Sequence, residues 1–211
     1  TKGTTSDWQD SADYDIGDAV QFKLEGTVAT NYDKYNTYYY AFHDIEEAGL
    51  TFNKDSVKVY VDNVEINSNF EVKTNTSDGC SFEIVFADLK KIESVKAGSQ
   101  IRVEYTSTLN ENAVLGNHGN LNKAKLEFSN NPNQEQGGTP ETGKTPWDNV
   151  IVFTYKVVIN KVDENNAPLT GAEFTLSKKL ADGSTVTVTV VKSNLDTTFT
   201  FSGLDDGEYV L

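Results

Sequence analysis

Apolar and polar residues alternate along most of this chain with a period of two. Val20, Phe22, Leu24 and Val28 share one face, with Gln21, Lys23 and Glu25 opposite. Tyr38, Tyr40, Phe42 and Asp44 share a parity, as do Val57, Val59 and Val61. The series continues through Phe82, Ile84 and Phe86, then Ile101, Val103 and Tyr105, then Ala124, Leu126, Phe128 and Asn130. Side chains on an extended backbone point alternately to opposite faces, so each run predicts a half-buried strand. Turn residues such as Asp62-Asn63 and Asp78-Gly79 separate the runs. One short helical turn is expected between Asp88 and Ser94, and no long helix elsewhere.

The pattern breaks from Asn130 to Asn149, a polar stretch punctuated by Gly and Pro that predicts a long exposed loop. Val150 to Val162 then predicts an unusually long strand that ends one domain and begins the next. Within it, Tyr155, Val157, Ile159 and Lys161 share a parity, so an inward-facing apolar track carries Lys161 inward too. Short strands follow at Ala172–Leu176, Thr185–Val191, Thr197–Phe201 and from Glu208, the spacing of a small sandwich. The expected fold class is all-β, with two tandem immunoglobulin-like β-sandwich domains over residues 1–154 and 155–211. The second is expected to lack its last strands.

Composition narrows the function. The 211 residues carry a net charge of -14, which disfavours nucleic acid and anionic lipid as partners. No apolar run approaches membrane-spanning length, so no membrane insertion is expected in this segment. There is one cysteine, so no internal disulfide and no zinc spacing is expected. Cys80 has the parity of Phe82 and reads as a small buried core residue.

Three polar residues end apolar tracks: Asp44, Asn130 and Lys161. A neutral lysine amine can attack an asparagine carboxamide, expel ammonia and leave a side-chain amide. Apolar burial lowers a lysine pKa and raises a carboxyl pKa, so a protonated aspartate can polarise the amide and shuttle protons.

The segments Asp13-Tyr14-Asp15-Ile16-Gly17-Asp18, Tyr40-Ala41-Phe42-His43-Asp44, Gly49-Leu50-Thr51-Phe52 and Leu126-Glu127-Phe128-Ser129-Asn130-Asn131-Pro132 resemble the isopeptide-forming middle domain of Gram-positive sortase-assembled pilins. Asn160-Lys161-Val162-Asp163, Pro168 to Leu176 and Gly203 to Tyr209 resemble a Cna-B-type domain. The resemblance implies a structural shaft subunit of a cell-wall-anchored surface pilus, joined to other pilin subunits by sortase. It implies intramolecular Lys–Asn isopeptide bonds and no enzyme activity beyond that single-turnover self-cross-linking, with no cofactor and no metal. Asp44 would be the proton shuttle. Asn130 would be the amide partner in the first domain, with Asn131 as the alternative, and Lys161 the nucleophile in the second. The family's first-domain lysine lies on an opening strand. The only upstream lysine here is Lys2, in a loop-like stretch, so that lysine is expected before Thr1. The glutamate and asparagine of the second domain are expected beyond Leu211.

A competing reading is an adhesin that uses the same folds to bind a host protein or glycan. The tyrosines from Tyr32 to Tyr40 would suit such a surface, although strand cross-packing explains them as well. His43 neighbours Asp44, but adjacent strand residues face opposite ways and make no catalytic pair. Asp163-Glu164-Asn165-Asn166 reads as a solvated turn in preference to a calcium loop.

Overall fold

The alternating runs become strands in the computed structural model, which describes residues 1, 7–74, 76–133, 141–193 and 195–211. Lys2 lies outside the described residues. The strands of the first unit are β1 (Ser11–Asp13), β2 (Ala19–Thr27), β3 (Tyr40–Glu46), β4 (Leu50–Val61), β5 (Val64–Ile66), β6 (Glu71–Lys73), β7 (Phe82–Phe86), β8 (Gln100–Leu109), β9 (Asn120–Ser129), β10 (Thr142–Lys144) and β11 (Asp148–Phe153). One sheet has the order β1-β11-β9-β3-β7-β6, with β10 added beside β9; the other is β2-β8-β4-β5. The β1–β11 pair is parallel, and the other pairs of the two sheets are antiparallel.

The two sheets enclose one apolar core that includes Val20, Phe22, Phe42, Phe82, Ile84, Phe86, Ile101 and Tyr105. Phe82 stacks on Phe52 at 3.7 Å and meets Tyr105 edge-on at 4.9 Å. Tyr32, Tyr35, Tyr38 and Tyr40 are buried, and Tyr38 packs edge-on against Tyr32 and Tyr35. The tyrosine run is therefore mostly core, not surface. Asp62 and Asn63 both have positive φ, 47° and 69°, and close the β4–β5 hairpin as a two-residue turn of that type requires. The expected helical turn is a short 3-10 segment, Leu89–Lys91, capped by the Asp88 side chain on the Lys90 N–H.

The polar stretch after Asn130 is not a loop throughout. β10 pairs with the end of β9, and β11 starts at Asp148. The alternation test missed β10 because Thr142-Gly143-Lys144 has no apolar side chain to alternate.

The second unit comprises β12 (Tyr155–Asn160), β13 (Leu176–Lys179), β14 (Thr185–Val188), β15 (Val190–Lys192), β16 (Thr198–Leu204) and β17 (Glu208–Val210). They form two three-stranded sheets, β12-β16-β15 and β14-β13-β17. Leu176, Phe199, Phe201 and Leu204 make its small core. The continuous strand expected from Val150 to Val162 is interrupted at the buried Thr154, and its halves pair in different sheets. Glu173 points outward toward Lys192. The Asp163 carboxylate accepts from the Asn165 and Ala167 N–H groups, which closes a local turn.

The Asp13–Asp18 segment straps the two units together. The Asp205 and Asp206 N–H groups donate to Asp15 Oδ1 (2.8 Å) and Asp13 Oδ2 (3.0 Å). Lys178 Nζ bridges Asp15 (2.6 Å) and Asp205 (3.1 Å). The Ile16 N–H donates to the Gly203 carbonyl at 3.1 Å.

Candidate functional site

Strand parity aims the even-numbered residues of β3 into the sandwich. Tyr40 and Phe42 fill the core, and Asp44 follows them to complete burial, 0% exposed. An aspartate in that position is costly unless it is hydrogen-bonded or neutral. Tyr105 reaches across from β8 in the opposite sheet and donates its hydroxyl to Asp44 Oδ2 at 2.8 Å. Asn122, on β9, donates its amide to the same Tyr105 oxygen at 2.7 Å. Tyr105 thus links Asn122 to the Asp44 carboxyl through its hydroxyl. Glu46, paired in register with Asn122, accepts from the Ser107 hydroxyl.

Burial pushes the Asp44 carboxyl well above the ordinary aspartate range, with the nearby Glu46 charge adding to it and the Tyr105 hydroxyl and Asn122 amide opposing it. Burial also raises Glu46, to about 7, against the Ser107 hydrogen bond. Tyr105 is pushed well above the ordinary phenol range by burial and by Asp44. Two oxygens of this cluster, Asp44 Oδ1 and Asn122 Oδ1, have no hydrogen-bond partner. A neutral carboxyl facing a carboxamide is the arrangement that polarises the amide carbon toward a nucleophile.

Beside Asn122 lies a cavity of about 50 Å³, lined among others by Thr1, Phe22, Tyr105, Ala124 and Asp148. It adjoins a larger groove of about 460 Å³ between β2 and β9. Among the described residues no lysine is hydrogen-bonded to Asp44, Tyr105 or Asn122. Lys23 borders the cavity, but its Nζ pairs with Glu25 at 2.9 Å and lies over the Trp8 ring.

The structure does not bring Asn130 to Asp44. Tyr40 pairs with Phe128 and Asp44 with Ala124, so Asn130 lies six positions along β9 from Ala124, roughly 20 Å away. Asn130 is exposed, and Asn131 binds the Glu141 carboxylate at 3.0 Å. Parity carries no direction along a strand. β3 and β9 are antiparallel, so the far end of β3 meets the near end of β9. The same apolar track read backwards from Ala124 gives Asn122, and that was the available signal.

Lys161 lies just past β12, partly exposed, with its backbone N–H bonded to the Thr197 carbonyl. The apolar track leading to it is less buried than expected. Ile159 packs on the small core, but Val157 is 43% exposed although it pairs with the buried Phe201. β12 is a sheet edge, so parity orients its side chains without covering them.

Residues 16–132 match the family model described as Gram-positive pilin backbone subunit 2, Cna-B-like domain. The chain belongs to the Gram-positive pilin backbone family. Residues 155–211 of this pilin backbone chain match a second model, the SpaA prealbumin-like fold domain. A curated relative is the trypsin-resistant surface T6 protein of Streptococcus pyogenes serotype M6. It is 30% identical over 163 residues, which cover 64% of this chain and 28% of that protein. The pilin backbone chain thus spans a little over a quarter of the curated relative's length. In fold it is similar to the T6 backbone pilin of S. pyogenes, with a TM-score of 0.67, 22% identity, and coverage of 93% of this chain and 43% of that one. It is also similar to a 35 kDa C-terminal fragment of the major pilin GBS80 of Streptococcus agalactiae, with a TM-score of 0.66, 20% identity, and coverage of 93% and 76%. The all-β, tandem sandwich architecture agrees with these folds.

Proposed function

We propose that this chain is a load-bearing shaft segment of a covalently assembled surface pilus. On this reading Asp44, Tyr105 and Asn122 form a self-cross-linking centre, and the domain division falls at Thr154/Tyr155. The observation that carries the proposal is the fully buried Asp44 carboxyl beside a buried carboxamide, with an unpaired oxygen on each.

The reaction is an amide exchange. A neutral lysine amine from outside the described residues enters the cavity beside Thr1 and attacks Asn122 Cγ. The Asp44 carboxyl hydrogen-bonds the carboxamide oxygen as charge builds there. It then takes a proton from the attacking nitrogen and delivers one to the leaving nitrogen. The new C–N bond replaces the old one, and ammonia departs. The fold holds the groups together, so effective concentration replaces an external catalyst. The cross-link would tie the strands so that tension cannot unzip the sheet, and it would restrict the unfolded chain as a disulfide does.

Lys161 keeps the corresponding role in the second unit, where its acid and amide partners would lie outside the described residues. Joining to other subunits by sortase and an extracellular, wall-anchored location belong to the same reading.

Intact mass spectrometry of a protein extended at both ends tests it. The mass should fall by one ammonia per bond, and Asp44→Ala or Asn122→Ala should each restore one ammonia. An undiminished deficit in Asn122→Ala would remove Asn122 from the reaction.

A further inference from the structure

On the outer face of the same strand, the odd-numbered residue next to Asp44 assembles a different cluster. His43 is 4% exposed, unusual for a residue on the outside of a sandwich. Its Nδ1 lies 3.1 Å from Asp78 Oδ2, 3.1 Å from Glu83 Oε1 and 3.8 Å from Cys80 Sγ. These four donor atoms all lie within 4.8 Å of one another. Three strand or turn segments supply them: β3, the Asp78–Cys80 turn and β7.

The other ring nitrogen is already engaged. His43 Nε2 donates to Glu127 Oε2 at 2.8 Å. Glu127 is held in turn by the Thr142 hydroxyl at 2.6 Å and by Lys144 Nζ at 3.3 Å. A carboxylate fixing one imidazole nitrogen leaves the other as a lone-pair donor, the outer arrangement that metal-bound histidines use. Here that lone pair would face two carboxylates and a thiol, an arrangement that a cation between them resolves.

We propose that His43 Nδ1, Cys80 Sγ, Asp78 Oδ2 and Glu83 Oε1 form a four-coordinate site for a zinc-class divalent ion. Zinc bonds of about 2.0–2.3 Å place tetrahedral donors about 3.3–3.6 Å apart, close to the spacings from Nδ1. The mixed imidazole and thiolate set suits zinc and excludes calcium and magnesium, which take oxygen donors. Asp78 is exposed and gives the ion a way in, while Cys80 is buried. The Cys80 N–H donates to Asp78 Oδ1 at 3.2 Å, which turns the other carboxylate oxygen toward the site. Binding would release the thiol proton and pin the Asp78–Cys80 turn to β3 and β7. Cys80 is buried, as its parity suggested, but its thiol lies 3.8 Å from His43 Nδ1 and outside the main apolar cluster. β7 begins at Phe82, and the turn before it swings the thiol to the outer face. Spacing along the chain does not show the site, because His43 comes from β3, far in sequence from the Asp78–Glu83 segment that supplies the other donors.

The test uses the 211-residue chain with a non-thiol reductant. Zinc titration by calorimetry should give one ion per chain, with proton release and a raised melting temperature. Cobalt should give tetrahedral ligand-field bands and a thiolate charge-transfer band. Cys80→Ser should abolish that band, and Glu127→Gln should weaken binding about 10–100-fold without abolishing the band. Apo melting curves of each variant check that it folds. Absence of stoichiometric zinc binding overturns the proposal and leaves the cluster as a hydrogen-bonded network around His43. A cobalt spectrum without the thiolate band, or binding unchanged in Cys80→Ser, overturns it equally.

Discussion

At the residue scale, the chemistry of this chain depends on where single strand positions point. His43 and Asp44 are neighbours in sequence, yet one meets Glu127 and the other meets Tyr105. The Tyr105 hydroxyl accepts from Asn122 and donates to Asp44, so it joins the centre. Tyr105→Phe leaves both partners short of a bond in an apolar setting, and should cost about 1–3 kcal/mol in chemical denaturation. The acids predict a pH dependence. Glu46 is raised to about 7 in the folded chain, and Asp44 is raised as well. Both groups then hold protons in the folded state that the unfolded chain has released. Their contribution is complete below the unfolded values near 4 and is lost as pH rises through the folded ones. Unfolding free energies of the 211-residue chain from urea titrations should fall between about pH 4 and pH 8, by about 3 kcal/mol from Glu46. Glu46→Gln should flatten that slope; a slope unchanged in the variant would mean another group titrates there.

At the scale of elements, the Asp13–Asp18 strap links the two units through charge and close packing. Lys178 Nζ holds Asp15 and Asp205 together, and hydrogen bonds to both carboxylates outweigh burial to raise its pKa. Lys178→Met leaves two carboxylates facing one another. Because the site is partly open, the loss should be about 1–3 kcal/mol, read as earlier melting of the second unit. Gly203 has φ +76°, and an added Cβ would come within 2.9 Å of the Ile16 side chain. Gly203→Ala should therefore loosen the same junction, seen as faster amide exchange at Ile16 and Asp205. Unchanged exchange at both would show that the strap adapts. The Asp13–Asp18 segment resembled a family motif in the sequence, but its work at the junction was not legible there. Its partners lie on β13, on β16 and just after it, well over a hundred residues away.

At the scale of the whole molecule, the units differ in how much they bury. The first core draws on both sheets, whereas the second rests, among the described residues, on four buried apolar ones. In the second unit Val157, Val158, Val186 and Val191 are exposed. Less apolar surface removed from water means a lower opening free energy. Calorimetry should resolve two transitions, with the second unit melting first, and hydrogen exchange should be fastest in β12, β14 and β15. A single cooperative transition would show that the strap couples the units completely.

Alternation alone determined the strand class and the facing of Phe22, Phe42, Asp44 and Tyr105, because side-chain direction is a local property of an extended backbone. Only the tertiary structure decided which residues meet. Antiparallel register brought Asn122 rather than Asn130 to Asp44, sheet order placed Tyr105 opposite both, and a turn before β7 carried Cys80 to His43. Those pairings rest on contacts between segments far apart in the chain, and a period of two contains no information about them.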